Sequence, residues 1–498
     1  MSNCPLKVAI SILFWRRLFA VVFTSSFLLP NLGSEPARAQ VNEYCQLSSA
    51  AAQQKESLRL SALKGKQDAQ TRYQSIIQEQ AQKLKQCRSR TWPQTQALWL
   101  RLYPCDVQPG IIDQVMDRIV NGGYNQVYIE VFYDGQVLLP ARANPTVWPA
   151  VIRTPGAENI DILATAIKKG RQRGLKVYAW MFTTNFGYTY AQRPDRASAI
   201  ARNGKGQTSL YVVDNGSQLF IDPYNLQAKR DYYQLVQQVL RRRPDGLLLD
   251  YVRYPRQAGS DSIATKVSDL WLFSPATQEA LFKRAQNYKA LDLIRRFLSK
   301  GFVTGGDVAE VDKLYPQEGE PLWQGRNPLA QKSILPATDR QRILQWDLWQ
   351  LAVAHAMQGI LDFVTIASYP AKQQGVSTGV VFFPDGNQTV GQGYDSRLQP
   401  WDRFPNTLEW HPMAYGNCGN ASCIVSQVQR VLSMAKPGTQ IIPALAGQWG
   451  KSVSNRPSLE VQMQALRQFA PQLKGVSHFA YSWQYPQNDS DRKFCRVK

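Results

Sequence analysis

Residues 245–255 read DGLLLDYVRYP: an Asp-Gly turn, three leucines, then Asp250, Arg253, Tyr254 and Pro255. A carboxylate ending a doubly buried strand is costly to hold unpaired, so it must face a wet cleft or a partner. Arg253 is the nearest partner, and a guanidinium beside the acid keeps it ionised. Other acids also fall within or just after apolar runs: Glu130 and Asp134 in QVYIEVFYDG, Asp222 in LFID and Glu409 in TLEWHPMAY. Paired carboxylates can break glycosidic bonds, one as acid and the other as nucleophile or base. Asp250 is the expected catalytic carboxylate, with Glu130, Asp134, Asp222 or Glu409 as the second. Trp180, Asn185, Arg253, Tyr254, His411, Tyr415, Trp449 and Trp483 are the expected substrate contacts. Aromatic faces among them suit the apolar faces of sugar rings. The sequence has three His and no HxH, HExxH or CxxC pattern, so no metal and no cofactor are expected.

Those residues need a scaffold that gathers strand ends. From residue 97 the chain alternates strand and helix. Strands are expected at 97–103, 125–133, 175–182 and 246–252, separated by helices at 109–123, 160–174 and 228–242. Residues 256–338 break the rhythm and read as an insertion, with a helix at 278–298 and a Gly/Pro-rich remainder. A long helix at 340–364 resumes the pattern. Strands follow at 375–384, 407–415, 439–447 and 475–483, with a helix at 457–470. Eight strands in β→α→β order predict an α/β fold, a (β/α)8 TIM barrel with its site at the C-terminal strand ends. The alternative, an open doubly wound sheet, wants a Gly-rich phosphate turn after its first strand, and LRLYPCDVQPG offers none.

The 498 residues carry a formal net charge of +21. Such a surface attracts polyanions such as nucleic acid, anionic lipid or acidic envelope polymers. Lys7, Arg16 and Arg17 precede the apolar run LFAVVFTSSFLL, and ARAQ follows at 37–40. This is the pattern of a signal peptide over residues 1–39, cut after Ala39. A run of twelve residues is short for a membrane span, which takes about 20. No membrane span is expected in the mature chain, which would be periplasmic or secreted.

Past the signal region six cysteines remain, an even number suited to three disulfides in an exported chain. Residues 40–92 are expected to form a helical hairpin bent near Gly65, because a single helix would hold Cys45 and Cys87 about 60 Å apart. The bend lets Cys45 pair with Cys87. In a closed barrel the first and last strands are neighbours, so Cys105, past the first, meets Cys495 in the tail. Cys418 and Cys423 then pair locally. Residues 93–498 make the barrel.

Four motifs resemble those of the glycosyl hydrolase-like 10 family of bacterial TIM-barrel glycosidases: YNQVYIEVFYDG (124–135), RGLKVYAWM (173–181), DGLLLDYVRYP and EWHPMAYG (409–416). The resemblance implies hydrolysis of glycosidic bonds, with peptidoglycan or another envelope glycan as substrate, and sets Asp250 at the fourth-strand acid. A polysaccharide, not nucleic acid, is then the expected partner. Relatives often carry Gln and Arg on strand two, where this chain has Glu130 and Phe132. Two readings follow: a glycoside hydrolase, or a barrel that binds glycan without cutting it.

Overall fold

The computed structural model describes residues 43–213, 216–328 and 335–496. The expected signal segment lies outside the described residues. Eight parallel strands form the barrel: β1 Thr95–Leu100, β2 Gln126–Tyr133, β3 Lys176–Phe182, β4 Gly246–Asp250, β5 Ser377–Phe382, β6 Glu409–Ala414, β7 Ala444–Ala446 and β8 Gly475–Phe479. Each pairs with the next, and β1 pairs with both β2 and β8, which closes the sheet into the (β/α)8 barrel.

Boundaries differ from the sequence expectation where local chemistry interrupts the ladder. β7 is only Ala444–Ala446, since Pro443 just before it has no N–H to donate. The eighth apolar run stops as strand at Phe479, and Tyr481–Gln484 forms a helical turn. The insertion helix is two helices, Pro275–Phe282 and Tyr288–Lys300, because Asn287 caps the second by accepting from the Ala290 N–H. A further helix, Gly305–Leu314, was not anticipated from the glycine-rich sequence; Thr304 and Asp307 form its capping box. The long helix runs from Ala337 to Gln373. Among the described residues it alone is long and apolar enough to cross a membrane, but 61% of its apolar window is buried within the fold.

Small residues admit large ones where space is tight. A Cβ on Gly246 would lie 2.4 Å from the Tyr178 ring, so the glycine of DGLLLD makes room for a barrel tyrosine. The preceding Asp245 accepts from the Val177 N–H at 2.8 Å and pins the start of β3. The barrel interior is aromatic. Trp99 packs edge-on to Tyr128 and Trp180, at 4.9 and 4.8 Å between ring centroids, and its indole donates to Ser477. The loops after β4 and β5 are joined by a three-stranded antiparallel sheet of Ile263–Ala264, Thr389–Val390 and Gly393–Asp395. This sheet walls one side of the barrel mouth.

Before the barrel, α1 (Ser49–Leu63) and α2 (Gln67–Arg90) form the hairpin, with Gly65 at φ 79° in the bend. All three expected disulfides are present: Cys45–Cys87, Cys105–Cys495 and Cys418–Cys423. The hairpin is pinned to the barrel helices by buried charge. Asp117, on the helix Ile111–Asn121, accepts from Tyr73 at 2.6 Å and Arg173 at 2.8 Å, and Lys55 lies 3.6 Å away. Burial lowers the Lys55 pKa to about 8, against the pull of Asp117. Removing one member of a buried network strands the others. Asp117→Ala is therefore expected to cost about 3–5 kcal/mol in urea unfolding.

Candidate active site

Asp250 is the last residue of β4 and is 7% exposed. Its Oδ2 accepts from Trp180 Nε1 at 3.0 Å, and its Oδ1 from the Tyr251 N–H at 2.6 Å. Burial raises its pKa; those two hydrogen bonds and the Arg253 charge oppose the rise. The expected ion pair with Arg253 does not form. Tyr251, at φ 53°, turns the chain sharply after the strand, and Arg253 donates instead to the Tyr254 carbonyl at 2.9 Å. The Tyr251 ring packs on Phe182 at 4.2 Å and carries the Arg253 guanidinium at 4.5 Å.

Glu130 lies two strands away on β2. It is the register partner of Trp180, so that tryptophan stands between the two acids. Arg101, just past β1, holds both Glu130 oxygens, with Nη2 3.1 Å from Oε1 and Nε donating to Oε2. Burial pushes the Glu130 pKa up to about 7 against the Arg101 pairing, and the charges of Asp134 and Asp250 add to the rise. Register shifts between Glu130 and Phe132, which marks a bulge, and such irregularities re-aim side chains. Phe132 packs outward on Trp148 and Phe186, while Tyr133 takes the Arg101 guanidinium over its ring at 4.4 Å. A guanidinium thus reaches Glu130 from just past β1.

Asp134 adopts φ 47° beyond β2 and accepts from Ser217 Oγ at 3.1 Å. Tyr415 follows β6, half-buried; burial and the charge of Asp250 raise its pKa, and its ring lies 5.7 Å from Phe479. Trp483 is half-buried in the helical turn after β8. A cleft of about 700 Å³ is lined in part by Tyr251, the residue after Asp250, and by Arg253 and Phe383; neither Asp250 nor Glu130 lines it.

Other expected site residues are placed elsewhere. Glu409 is the first residue of β6, at the opposite end of the barrel from Asp250. It accepts from the Tyr178 hydroxyl at 3.0 Å and contacts His411 at 3.3 Å. Its pKa is lowered: burial alone would raise it, and His411, Tyr178 and Lys176 outweigh that. His411, fully buried on the same strand, belongs with Glu409 and not with the mouth. Asp222 is an anchor, accepting from the Tyr224 N–H at 2.8 Å and from Thr277 N–H and Oγ1 at 3.0 and 2.5 Å. Asn185 stitches a loop, its Oδ1 accepting from the Gly187 and Leu219 N–H groups. Tyr254 points to the long helix and donates to the Ala356 carbonyl at 3.2 Å. Trp449 packs on Tyr44 at 5.0 Å and donates to the Tyr124 hydroxyl at 3.1 Å, against the hairpin side of the barrel.

Arg101 and Tyr251 escaped the sequence reading. Arg101 had a signal, a charge directly after the apolar run ALWL, like Asp250 after its leucines. Tyr251 was hidden because the strand was expected to continue to residue 252. Among the described residues no group of three or more His, Cys, Asp or Glu is placed to hold a metal ion.

Residues 97–278 match the family model described as glycosyl hydrolase-like 10, a stretch that takes in the first four strands and both acids. No curated protein matches the chain. Solved structures with similarity include a hypothetical protein from Ruminiclostridium thermocellum, 14% identical over 32% of this chain and 77% of its own, at a TM-score of 0.24. A GH20 exo-β-N-acetylglucosaminidase from Vibrio harveyi is 7% identical over 81% of this chain and 52% of its own, at 0.39. The spore cortex-lytic enzyme SleL of Bacillus megaterium is 8% identical over 80% and 73%, at 0.33. The chain spans about half the length of the Vibrio enzyme.

Because Arg101 opposes the upward shift of Glu130, Arg101→Gln is expected to move the Glu130 pKa above about 7. A carbon-13 NMR titration of the labelled carboxyl reads this directly. An unchanged or lower midpoint contradicts the assigned cause.

Proposed function

We propose that this protein is an exported glycoside hydrolase acting on a cell-envelope or extracellular glycan, peptidoglycan-like or an acidic polysaccharide, with Asp250 and Glu130 as its carboxylate pair. The observation that carries the reading is two buried acids near the barrel mouth, Asp250 hydrogen-bonded to Trp180 and Glu130 in register with it, one of which holds its proton to about pH 7. Splitting a glycosidic bond needs one protonated and one ionised carboxyl. The charge of Asp250 helps keep the proton on Glu130, so Glu130 takes the acid role and Asp250 that of nucleophile or base. Trp180 and the Tyr251 N–H orient Asp250, while Tyr251, Tyr415 and Trp483 offer faces to sugar rings. Three disulfides support a location in an oxidising compartment, periplasmic or secreted, in keeping with cleavage after Ala39.

Digestion of purified peptidoglycan and of acidic polysaccharides tests the proposal. Asp250→Asn is expected to lower kcat by about 10²–10⁴-fold. Equal product release by variant and wild type removes Asp250 from the mechanism. The pH profile is expected to be a bell. Above about pH 7 Glu130 loses its proton and the rate falls; at low pH Asp250 gains one and the rate falls again. Glu130→Gln should abolish the alkaline limb.

A second reading, a barrel that binds glycan without cutting it, is favoured by the Arg101 clamp, which occupies both Glu130 oxygens. Tight glycan binding without product from the wild type, on every substrate, would establish it.

A further inference from the structure

Among the described residues that line the cleft, three arginines face two acids. Three guanidiniums gather on one ring: Arg253 and Arg256 each lie 5.6 Å from the Phe383 centroid, and Arg397 lies 4.6 Å from it. Asp385 and Asp395 also line the cleft, but both are committed to Arg397, at 3.0 and 2.6 Å. Among the described residues no carboxylate lies within 4.0 Å of the Arg253 or Arg256 guanidinium.

Arg256 is exposed and water can solvate it. Arg253 is different. It is 5% exposed, and of its five N–H donors one is accounted for, by the Tyr254 carbonyl. Burial holds its guanidinium below the usual arginine value; Tyr251 and Asp250 oppose the fall, and Arg397 and Arg256 add to it. None of its nitrogens is enclosed without a partner, and Asp250 is near enough for its charge to be felt. Its flat faces are satisfied, by Tyr251 at 4.5 Å and by Phe220 and Phe383 at 5.5 and 5.6 Å. Among the described residues its donor edge has no partner beyond the Tyr254 carbonyl. That edge borders an open space of about 700 Å³, within the range of ligand-binding clefts. A planar guanidinium fork matches two oxygens of a carboxylate or phosphate.

We propose that this cleft is an anion subsite, in which Arg253 and Arg256 bind a carboxylate or phosphate ester carried by a sugar unit of the glycan. The proposal rests on the hydrolase reading only for its glycan. Because Arg253 stacks on Tyr251, the residue after Asp250, the subsite is joined to the end of β4. The site thereby selects acidic glycans over neutral ones, with Tyr251 and Phe383 as apolar walls.

Calorimetry on the full chain carrying Asp250→Asn tests this with three oligosaccharides of equal length: one of uronic acids, one bearing phosphate esters and one neutral. At least one acidic ligand should bind about tenfold tighter than the neutral one, with affinity falling as salt rises. Which acidic ligand is preferred tells carboxylate from phosphate. Arg253→Gln and Arg256→Gln should each erase most of the preference; Arg256 is exposed, so its variant does not risk the fold. Equal binding of all three ligands, or a preference that survives both substitutions, overturns the subsite. Hydrolysis by the wild type with no charge preference leaves the hydrolase standing and removes the subsite. Arginine-dependent binding of acidic glycan without cleavage by the wild type does the reverse.

Discussion

Parallel pairing of β1 with both β2 and β8 is the constraint on which the site depends. Closure leaves the sheet no free edge, and it sends every strand end toward one mouth. It sets the end of β1 beside β2, which lets Arg101 reach Glu130. It also brings Cys105 to the tail that follows β8, where Cys495 waits. Opened between β1 and β8, the same strands would lose the hydrogen bond from Trp99 to Ser477.

The mouth tolerates buried charge because each acid has been given a defined set of donors. Glu130 has a guanidinium, and Asp250 has an indole and a backbone N–H. Neither set fully offsets burial, so both acids stay easier to protonate than in water. Glu409, equally enclosed at the far end, shows the contrast: with a histidine and a tyrosine hydroxyl at hand its pKa falls. Similar acids acquire different chemistry from their neighbours alone.

The strand–helix rhythm, the hairpin and the three cysteine pairs were legible because each depends on short-range pattern or on chain connectivity. The site was legible in part. Asp250 announced itself as a charge ending an apolar run, and Glu130 as an acid inside one. Glu409 had the same signature yet sits at the far end, since it opens β6 where Asp250 closes β4. Tyr254 and Tyr251 exchanged roles for a similar reason. β4 stops at Asp250, and the left-handed turn at Tyr251 sends Tyr251 to the cleft and Tyr254 to the helix shell.

By itself the sequence determined which segments are strands, which residues are apolar enough to be buried and which cysteines a closed barrel must join. These follow from periodicity and from the expense of exposing hydrocarbon or burying unpaired charge. Only the tertiary structure decided which face each strand residue presents. In a strand that choice inverts with every residue, and a single bulge, as at Glu130–Phe132, reverses it for all that follow. Arg101 on Glu130, Trp180 on Asp250 and Arg253 at the cleft edge are consequences of that parity, which no linear pattern records.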